Sequence, residues 1–466
     1  MMDQLLMGGA MLFYFSRTLL CVGLFFLLSF SGSVRAQPKT PSAGFLKLSE
    51  AIQIALTHNP LINEVQAQAD ISNEHIVQAR SGFMPRIEAS GAYNRTTNPA
   101  QTFATKLNQA MITQDDFNAD RLNNPDPIDN YAGRLTAIWP LYDSGQTWYG
   151  LRQAELEQKQ TSLEMIRRRQ QVIAQTVFTY VGVLMAEENH AILQQTLATA
   201  RASLKMVKSR YESGFVVKSD LLRTQVHIAN IEQQQLQAAS QLDISRAELN
   251  AAMGVAIDSE FELISRLESG EAITEPLERW INIALDQRAD LKQIDFQQSV
   301  AEEEIKKTRA AHLPSLNLAG NYEVNTEDFD DSADNYSVGA VVTFNIFSGN
   351  RTSAKVREAK AFLRQVQAEQ RNLKQRVRVE TRQAYLQADN AWRRIQVARA
   401  AANQAEEALR IVRNRYKNGL FTIVDLLNSE LALQQAQTNH LRAIHDYKVS
   451  TANLMLAAGT LDENFQ

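Results

Sequence analysis

The chain repeats itself. Residues 55–93 align without a gap to 284–322 at an offset of 229, which brings Ala55, Leu56, Arg80, Pro85 and Tyr93 onto Ala284, Leu285, Arg309, Pro314 and Tyr322. From Tyr131 to Gly254 the match continues against Tyr336 to Gly459, now at an offset of 205. The difference of 24 residues falls between the two blocks, so the first half has the longer loop, between Tyr93 and Tyr131. One supersecondary unit is used twice, and every element assigned has to work in both copies.

Proline and glycine give the element lengths. There is no proline between Pro140 and Pro276 and none after Pro314; Gly349 to Gly419 holds no glycine between its ends, and Gly150 to Gly214 only Gly182. These residues interrupt helices, so two stretches of more than sixty residues are free to be single helices, each about 100 Å long. The second carries a heptad, Val356, Leu363, Gln370, Val377, Ala384, Ala391, Ala398, Ala405 and Val412, broken only by Gln370. A strict seven-residue repeat implies left-handed supercoiling. Gly214 and Gly419 then stop the long helices at equivalent places, within YESGFVVKSDLL (211–222) and YKNGLFTIVDLL (416–427). A glycine allows a left-handed cap, and Ser219, Asp220 or Asp425 can cap the next helix, so each half predicts a helical hairpin with second helices near 219–253 and 424–458.

Between the helices lie runs of period two. Tyr131, Gly133, Leu135, Ala137, Trp139 and Leu141 alternate with more polar neighbours, and their repeat partners are Tyr336, Val338, Ala340, Val342, Phe344 and Ile346. Leu316, Leu318, Gly320, Tyr322 and Val324 do the same, with a weaker copy at Ile87, Ala89, Gly91 and Tyr93. Each run is about ten residues, the length of a tilted strand crossing a bilayer. Tyr93, Tyr131, Trp139, Tyr322, Tyr336 and Phe344 near the strand ends suit an interfacial aromatic girdle. A half-buried sheet in a soluble domain shows the same alternation; export and the lack of a long apolar helix favour the membrane. Four strands cannot close a membrane barrel, whose smallest count is about eight, so other copies must close the edges.

Composition narrows the class. Of 466 residues 44% are hydrophobic and 21% charged, with a net charge of −4, which excludes a polytopic helical membrane protein and a disordered chain and gives no general pull towards nucleic acid. Thr18 to Phe30 is an apolar run behind Arg17, followed by Val34-Arg35-Ala36, so residues 1–36 read as a cleaved export signal. The single cysteine, Cys21, sits inside that run behind two leucines, which is not a lipid-anchor context. No HExxH or GxxxxGK[ST] pattern occurs, so neither a metal, a cofactor nor an enzymatic site is expected. His440 and His445 do not share a helical face, the acidic stretch 327–334 lacks EF-hand spacing, and Arg167-Arg168-Arg169 read as a solvated or salt-bridged face. The loop 94–130 is too long for a tight turn and is expected to fold over the mouth of a barrel.

The repeat, the strand entries MPRIEASGAY and LPSLNLAGNY, the exits PLYDSG and NIFSGN, and the two YxxG…DLL tips together resemble the TolC-type outer-membrane efflux protein family, over roughly residues 48–460. That resemblance implies a mainly α homotrimer whose twelve strands form one outer-membrane β-barrel, continued by a long periplasmic helical barrel. Its expected organisation is a first repeat at 37–254, an equatorial linker at 255–283, a second repeat at 284–459 and a tail at 460–466. It further implies a passive exit channel of a Gram-negative efflux or type I secretion system, docked to a periplasmic adaptor and an inner-membrane transporter of RND, ABC or MFS class. In the family the tips close the periplasmic entrance: Asp220 and Tyr416 match a closing pair, Asp425 the first carboxylate of a constriction ring, and Asn428 the place of the second. Phe421 stands where the family has a gate arginine. Gly214, Phe215, Leu221, Gly419, Leu420 and Leu426 match the adaptor-docking tips; helix capping alone is the plainer role for Asp220 and Asp425. The competing class is a periplasmic coiled-coil adaptor or structural protein, which also has hairpins but flanks them with glycine-rich lipoyl-like and barrel domains.

Overall fold

A computed structural model describes residues 44–465, so the expected export signal at 1–36 and Cys21 lie outside the described residues. From Leu48 onward the elements fall in one compact unit beginning at Phe45. The first repeat comprises β1 (Gly44–Leu46), α1 (Leu48–His58), α2 (Pro60–Ser81), β2 (Arg86–Thr96), the short loop helices α3 (Pro99–Asn108) and α4 (Ala119–Asn123), β3 (Ile128–Tyr142), α5 (Gln146–Glu212) and α6 (Lys218–Met253). β4 (Phe261–Leu263) and most of α7 (Leu277–Gln287) fall in the stretch between the two aligned halves, and α8 (Ala289–Ala310), β5 (Ser315–Thr326), β6 (Ala333–Thr343), α9 (Arg351–Lys417) and α10 (Ile423–Ala458) follow in the second repeat. The lengths agree between repeats: α5 and α9 have 67 residues each, α6 and α10 have 36. Along α9 the heptad residues are all buried or half-buried, and Gln370, its one polar member, donates to Asp295 of α8.

The four long strands form one antiparallel sheet in the order β2–β3–β5–β6. Its register gathers the alternating sets onto one face: Ala137 lies between Ile87 and Gly320, Leu135 between Ala89 and Tyr322, and Tyr322 pairs on with Tyr336. That face is apolar along the middle of the strands; at its end towards the loops Arg95 pairs with Asp129 at 2.9 Å and Asp334 lies opposite Val324. The other is polar and internally bonded, with Arg134 on Glu323 at 2.7 Å, Asn130 donating to Asn325 and Thr136 to Asn321. A bulge between Pro140 and Tyr142 makes Leu141 the unpaired extra residue, so Tyr142, opposite Leu316, takes the apolar-face place expected for Leu141. Phe344 and Ile346 lie beyond the end of β6 at Thr343.

Each strand runs into a helix, so the helices inherit the strand order. α2 packs on α5, α5 on α8 and α8 on α9; farther along, α6 packs on α5, α5 on α10 and α10 on α9. Both layers therefore have open edges on the same elements, β2 with α2 and α6 on one side, β6 with α9 on the other.

Two joints hold the paired helix ends. Gly254, at φ +73°, ends α6 against the start of α2, where the buried Asn59 donates to Ala252 O at 2.7 Å and accepts from Leu61 N. Gly459, at φ +74°, ends α10 against the start of α8, where the buried Arg288 reaches Ala457 O, Asp290 and Glu380. Arg167 of α5 donates to Leu456 O at the second joint, while Arg168 pairs loosely with Glu164.

Candidate gate at the hairpin tips

Both long helices end in the same motif. Gly214 takes φ +76°, its N–H bonds Tyr211 O, and Phe215 N bonds Arg210 O; Gly419 takes φ +74° with Tyr416 O and Arg415 O in the same roles. A Cβ at either glycine meets nothing within 4 Å, so the glycines are there for backbone conformation and not for space.

One apolar cluster joins the tips of the two hairpins. Val207, Leu409, Tyr416, Ile423, Leu426 and Leu427 are buried, with Val216, Leu221 and Phe421 packed around them. Leu426 is fully buried, which places it in the core of the tip and not on a docking surface; its burial contributes on the order of 2 kcal/mol. Phe421 packs in this cluster with the Arg415 guanidinium 5.5 Å from its ring, so an arginine–aromatic contact occupies the place of the family's gate arginine. The outermost residues are apolar and exposed: Phe215 at 81%, Leu420 at 74% and Val217 at 63%.

Across the hairpins the contact the sequence does not announce is Arg210. Its guanidinium lies 5.0 Å from the Tyr416 ring, Nη1 donates to Tyr416 O at 2.8 Å and Nη2 to Lys417 O at 2.6 Å. One side chain of the first hairpin thus holds the last carbonyls of α9, where a cation also suits the helix dipole. The Tyr416 hydroxyl is buried and makes no hydrogen bond among the described residues. Burial pushes its pKa up, Arg210 partly offsets this, and the Asp220 charge adds to the rise. Asp220 and Tyr416 therefore feel each other electrostatically without a hydrogen bond inside one chain.

The two N-terminal carboxylates differ. Thr422 caps α10: its hydroxyl and N–H both donate to Asp425 Oδ2, at 2.6 and 2.9 Å, and its Oγ1 faces Asp425 N. These bonds hold the Asp425 carboxyl below the usual carboxylate range. At the matching place in α6 stands Val217, which has no side-chain acceptor, so Asp220 lacks the partner Asp425 has. Asn428, one turn on from Asp425, is exposed. Farther along, Glu430 is buried where all four tip helices meet, accepting from Ser203 at 2.7 Å with His227 and Arg413 at 3.6 and 3.7 Å. Neither Arg210 nor Glu430 lies in a periodic pattern; the repeat marks Arg210 through its partner Arg415, whereas Glu430 meets Gln225 and carries no sequence signal.

Over residues 51–255 and 280–460 the sequence matches the family described as Outer membrane efflux protein. The chain belongs to that family. It is 23% identical to the alkaline protease secretion protein AprF of Pseudomonas aeruginosa, over 90% of this chain and 85% of that one. It is 24% identical to the outer membrane protein TolC of Vibrio cholerae, over 89% and 91% of the two chains. Among solved structures the Campylobacter jejuni CmeC outer membrane channel superposes with a TM-score of 0.75 at 16% identity, covering 93% of this chain and 92% of that one. This outer membrane efflux protein is an exit channel of the outer membrane with a helical extension on the periplasmic side.

Proposed function

We propose that three copies close head to tail into one twelve-stranded barrel continued by a helical duct, which conducts substrate passively once an adaptor and an inner-membrane transporter dock. The observation that carries this is the pair of open edges. β2 and β6 present unpaired backbone groups, the strands have one face that is apolar along their middle, and an open edge cannot persist in lipid. α2, α6 and α9 are open on the same sides, so one rotation that pairs β6 with the next β2 also closes the helices. The polar face then lines the lumen. Tyr93 stacked on Tyr131 at 4.8 Å, with Tyr322 beside Tyr336, forms one belt of the girdle, and Trp139 and Phe344 belong to the other.

In this reading Asp220, Tyr416, Asp425 and Asn428 surround the closed entrance, Arg210 holds it shut, and the adaptor meets Gly214, Phe215, Leu221, Gly419 and Leu420. Since AprF and the Dickeya chrysanthemi protein PrtF are named for protease secretion, we infer that protein export is among the uses of the duct. The test is membrane fractionation, followed by crosslinking and gel mobility without heating. An outer-membrane trimer is expected; a soluble or inner-membrane monomer rejects the reading.

A further inference from the structure

The longer loop of the first repeat is a folded unit with its own core. Thr102, Gln109 and Asp116 are buried, Phe103 meets Phe117 edge to face at 5.7 Å, and Lys106 pairs with Asp116 at 2.6 Å. Hydrogen bonds from Lys106 and then Thr113 hold the Asp116 carboxyl at about 2. This unit is fastened to one side of the sheet. Gln109 Nε2 donates to Asp129 O at 2.8 Å and to Asn130 Oδ1 at 2.9 Å, and Asn130 donates on to Asn325, both on the polar face. At its other end Thr96, also on the polar face, accepts from Asn98 N and bonds Gln101. From there α3 reaches both β3 and β6. A loop that leaves β2, bonds to the polar face of β3 and touches β6 crosses the β3–β5–β6 part of the sheet on its polar side. Leu107, Met111 and Phe117 stay exposed on it, left uncovered by the chain itself.

We propose that α3 and its loop form an extracellular lid: three copies fold inward over the mouth of the barrel and narrow it against bulky solutes arriving from outside. This rests on the barrel reading above. Twelve strands about 4.8 Å apart and tilted by about 45° enclose a circle roughly 26 Å across. A helix with its side chains is about 10 Å thick, and three brought together span about 20 Å, so they occupy most of that opening. Closure places the exposed apolar residues of each loop beside those of its neighbours. The second repeat joins β5 to β6 with only a short turn, so it supplies no such unit.

The test places a cysteine on the polar face below the loop, Ser337→Cys with Cys21→Ser, and labels intact cells from outside with a small impermeant maleimide and a bulky polymer-linked one. Access from outside does not depend on the periplasmic gate. In the parent the bulky reagent is expected to label roughly tenfold more slowly than the small one, as a narrowed pore requires. Replacing residues 98–126 by a short glycine–serine turn, or the single change Gln109→Ala, removes that difference; unheated gel mobility shows that both remain trimeric. An unchanged ratio of bulky to small labelling in both variants overturns the lid and leaves the barrel standing. Failure of the small reagent to reach Ser337→Cys in any outer-membrane variant overturns the barrel reading, and the lid with it.

Discussion

At the joint of the first repeat a neutral side chain, Asn59, holds two helix ends together, and at the joint of the second a buried cation, Arg288, does so. The tips differ in the same direction. Val217 leaves Asp220 without a cap partner, whereas Thr422 locks Asp425 into one. The glycines at all four places share nearly the same φ, between +73° and +76°. Backbone geometry is thus common to the repeats, while the side chains that fasten it have diverged towards a polar, more tightly bonded second half. If the entrance opens by one hairpin moving against the other, this asymmetry makes the second hairpin the stiffer body and Arg210 the catch between them.

The joint glycines give the largest effects and split the two repeats. A Cβ on Gly254 would lie 2.5 Å from His58 O, and one on Gly459 3.0 Å from the Arg288 Cα. The left-handed φ alone costs an alanine about 1 kcal/mol, and forced backbone overlap adds about 1–3 kcal/mol. Gly254→Ala is expected to be the most destabilising of the four, Gly459→Ala less so, and Gly214→Ala and Gly419→Ala equal and smallest. Circular dichroism melts of the purified protein check the order, and equal losses at all four would break the comparison.

Next come the fastenings themselves. Arg288→Met strands Asp290 and frees the half-exposed Glu380, a loss of about 3 kcal/mol, against about 1.5 kcal/mol for Asn59→Ala. Burial pushes the Asp290 carboxyl up, but bonds and charge from Arg288 outweigh it and hold the group below its ordinary value. A depressed carboxylate contributes stability that is complete above the unfolded value of about 3.9 and is lost as pH falls through the folded one. The Arg288→Met deficit in unfolding experiments should therefore be full at neutral pH and shrink in acid, while the Asn59→Ala deficit stays flat.

How much can be read in the sequence depends on how local each signal is. The ends of α5 and α9 can be read because a glycine or proline acts on its own residue, and the strand faces because period two is a property of the strand alone. The two joints lie inside aligned stretches, yet Asn59 and Arg288 occupy equivalent positions with unlike side chains, so their shared task shows only once α6 meets α2 and α10 meets α8. Leu426 looks like a tip residue by position; only the packing of both hairpins buries it. Arg210 acts on carbonyls about two hundred residues away, a contact no pattern within α5 encodes. The loop between β2 and β3 shows its length in sequence but not its direction, because Gln109 and Asn130 are joined by tertiary hydrogen bonds alone.

At the entrance, Arg210→Ala releases two charge-assisted hydrogen bonds, each worth about 1.5–3 kcal/mol, to Tyr416 O and Lys417 O. Single-channel recordings in planar bilayers should show the largest rise in conductance for this variant. Asp220→Ala should give a smaller rise and Tyr416→Phe the smallest, since its hydroxyl has no bond to lose within the chain. A larger effect from Tyr416→Phe than from Arg210→Ala would move the catch from Arg210 to a contact between copies.

The finest distinction is between the two carboxylates. In the proposed trimer, threefold symmetry brings three Asp425 side chains together, and like charges then favour protonation and attract cations. The Thr422 bonds work against protonation, so the ring stays ionised well into acid. Asp425→Ala should abolish a cation preference in reversal-potential measurements. Thr422→Val should keep that preference at neutral pH but lose it at a higher pH than the parent, because a carboxylate that keeps the backbone N–H of residue 422 but loses the hydroxyl donor titrates nearer the ordinary value. Val217→Thr offers Asp220 the same kind of partner and should leave the selectivity at the Asp425 ring unchanged. If Val217→Thr shifts the acid midpoint as far as Thr422→Val does, both carboxylates face the axis, and the two tips are functionally alike despite their different caps.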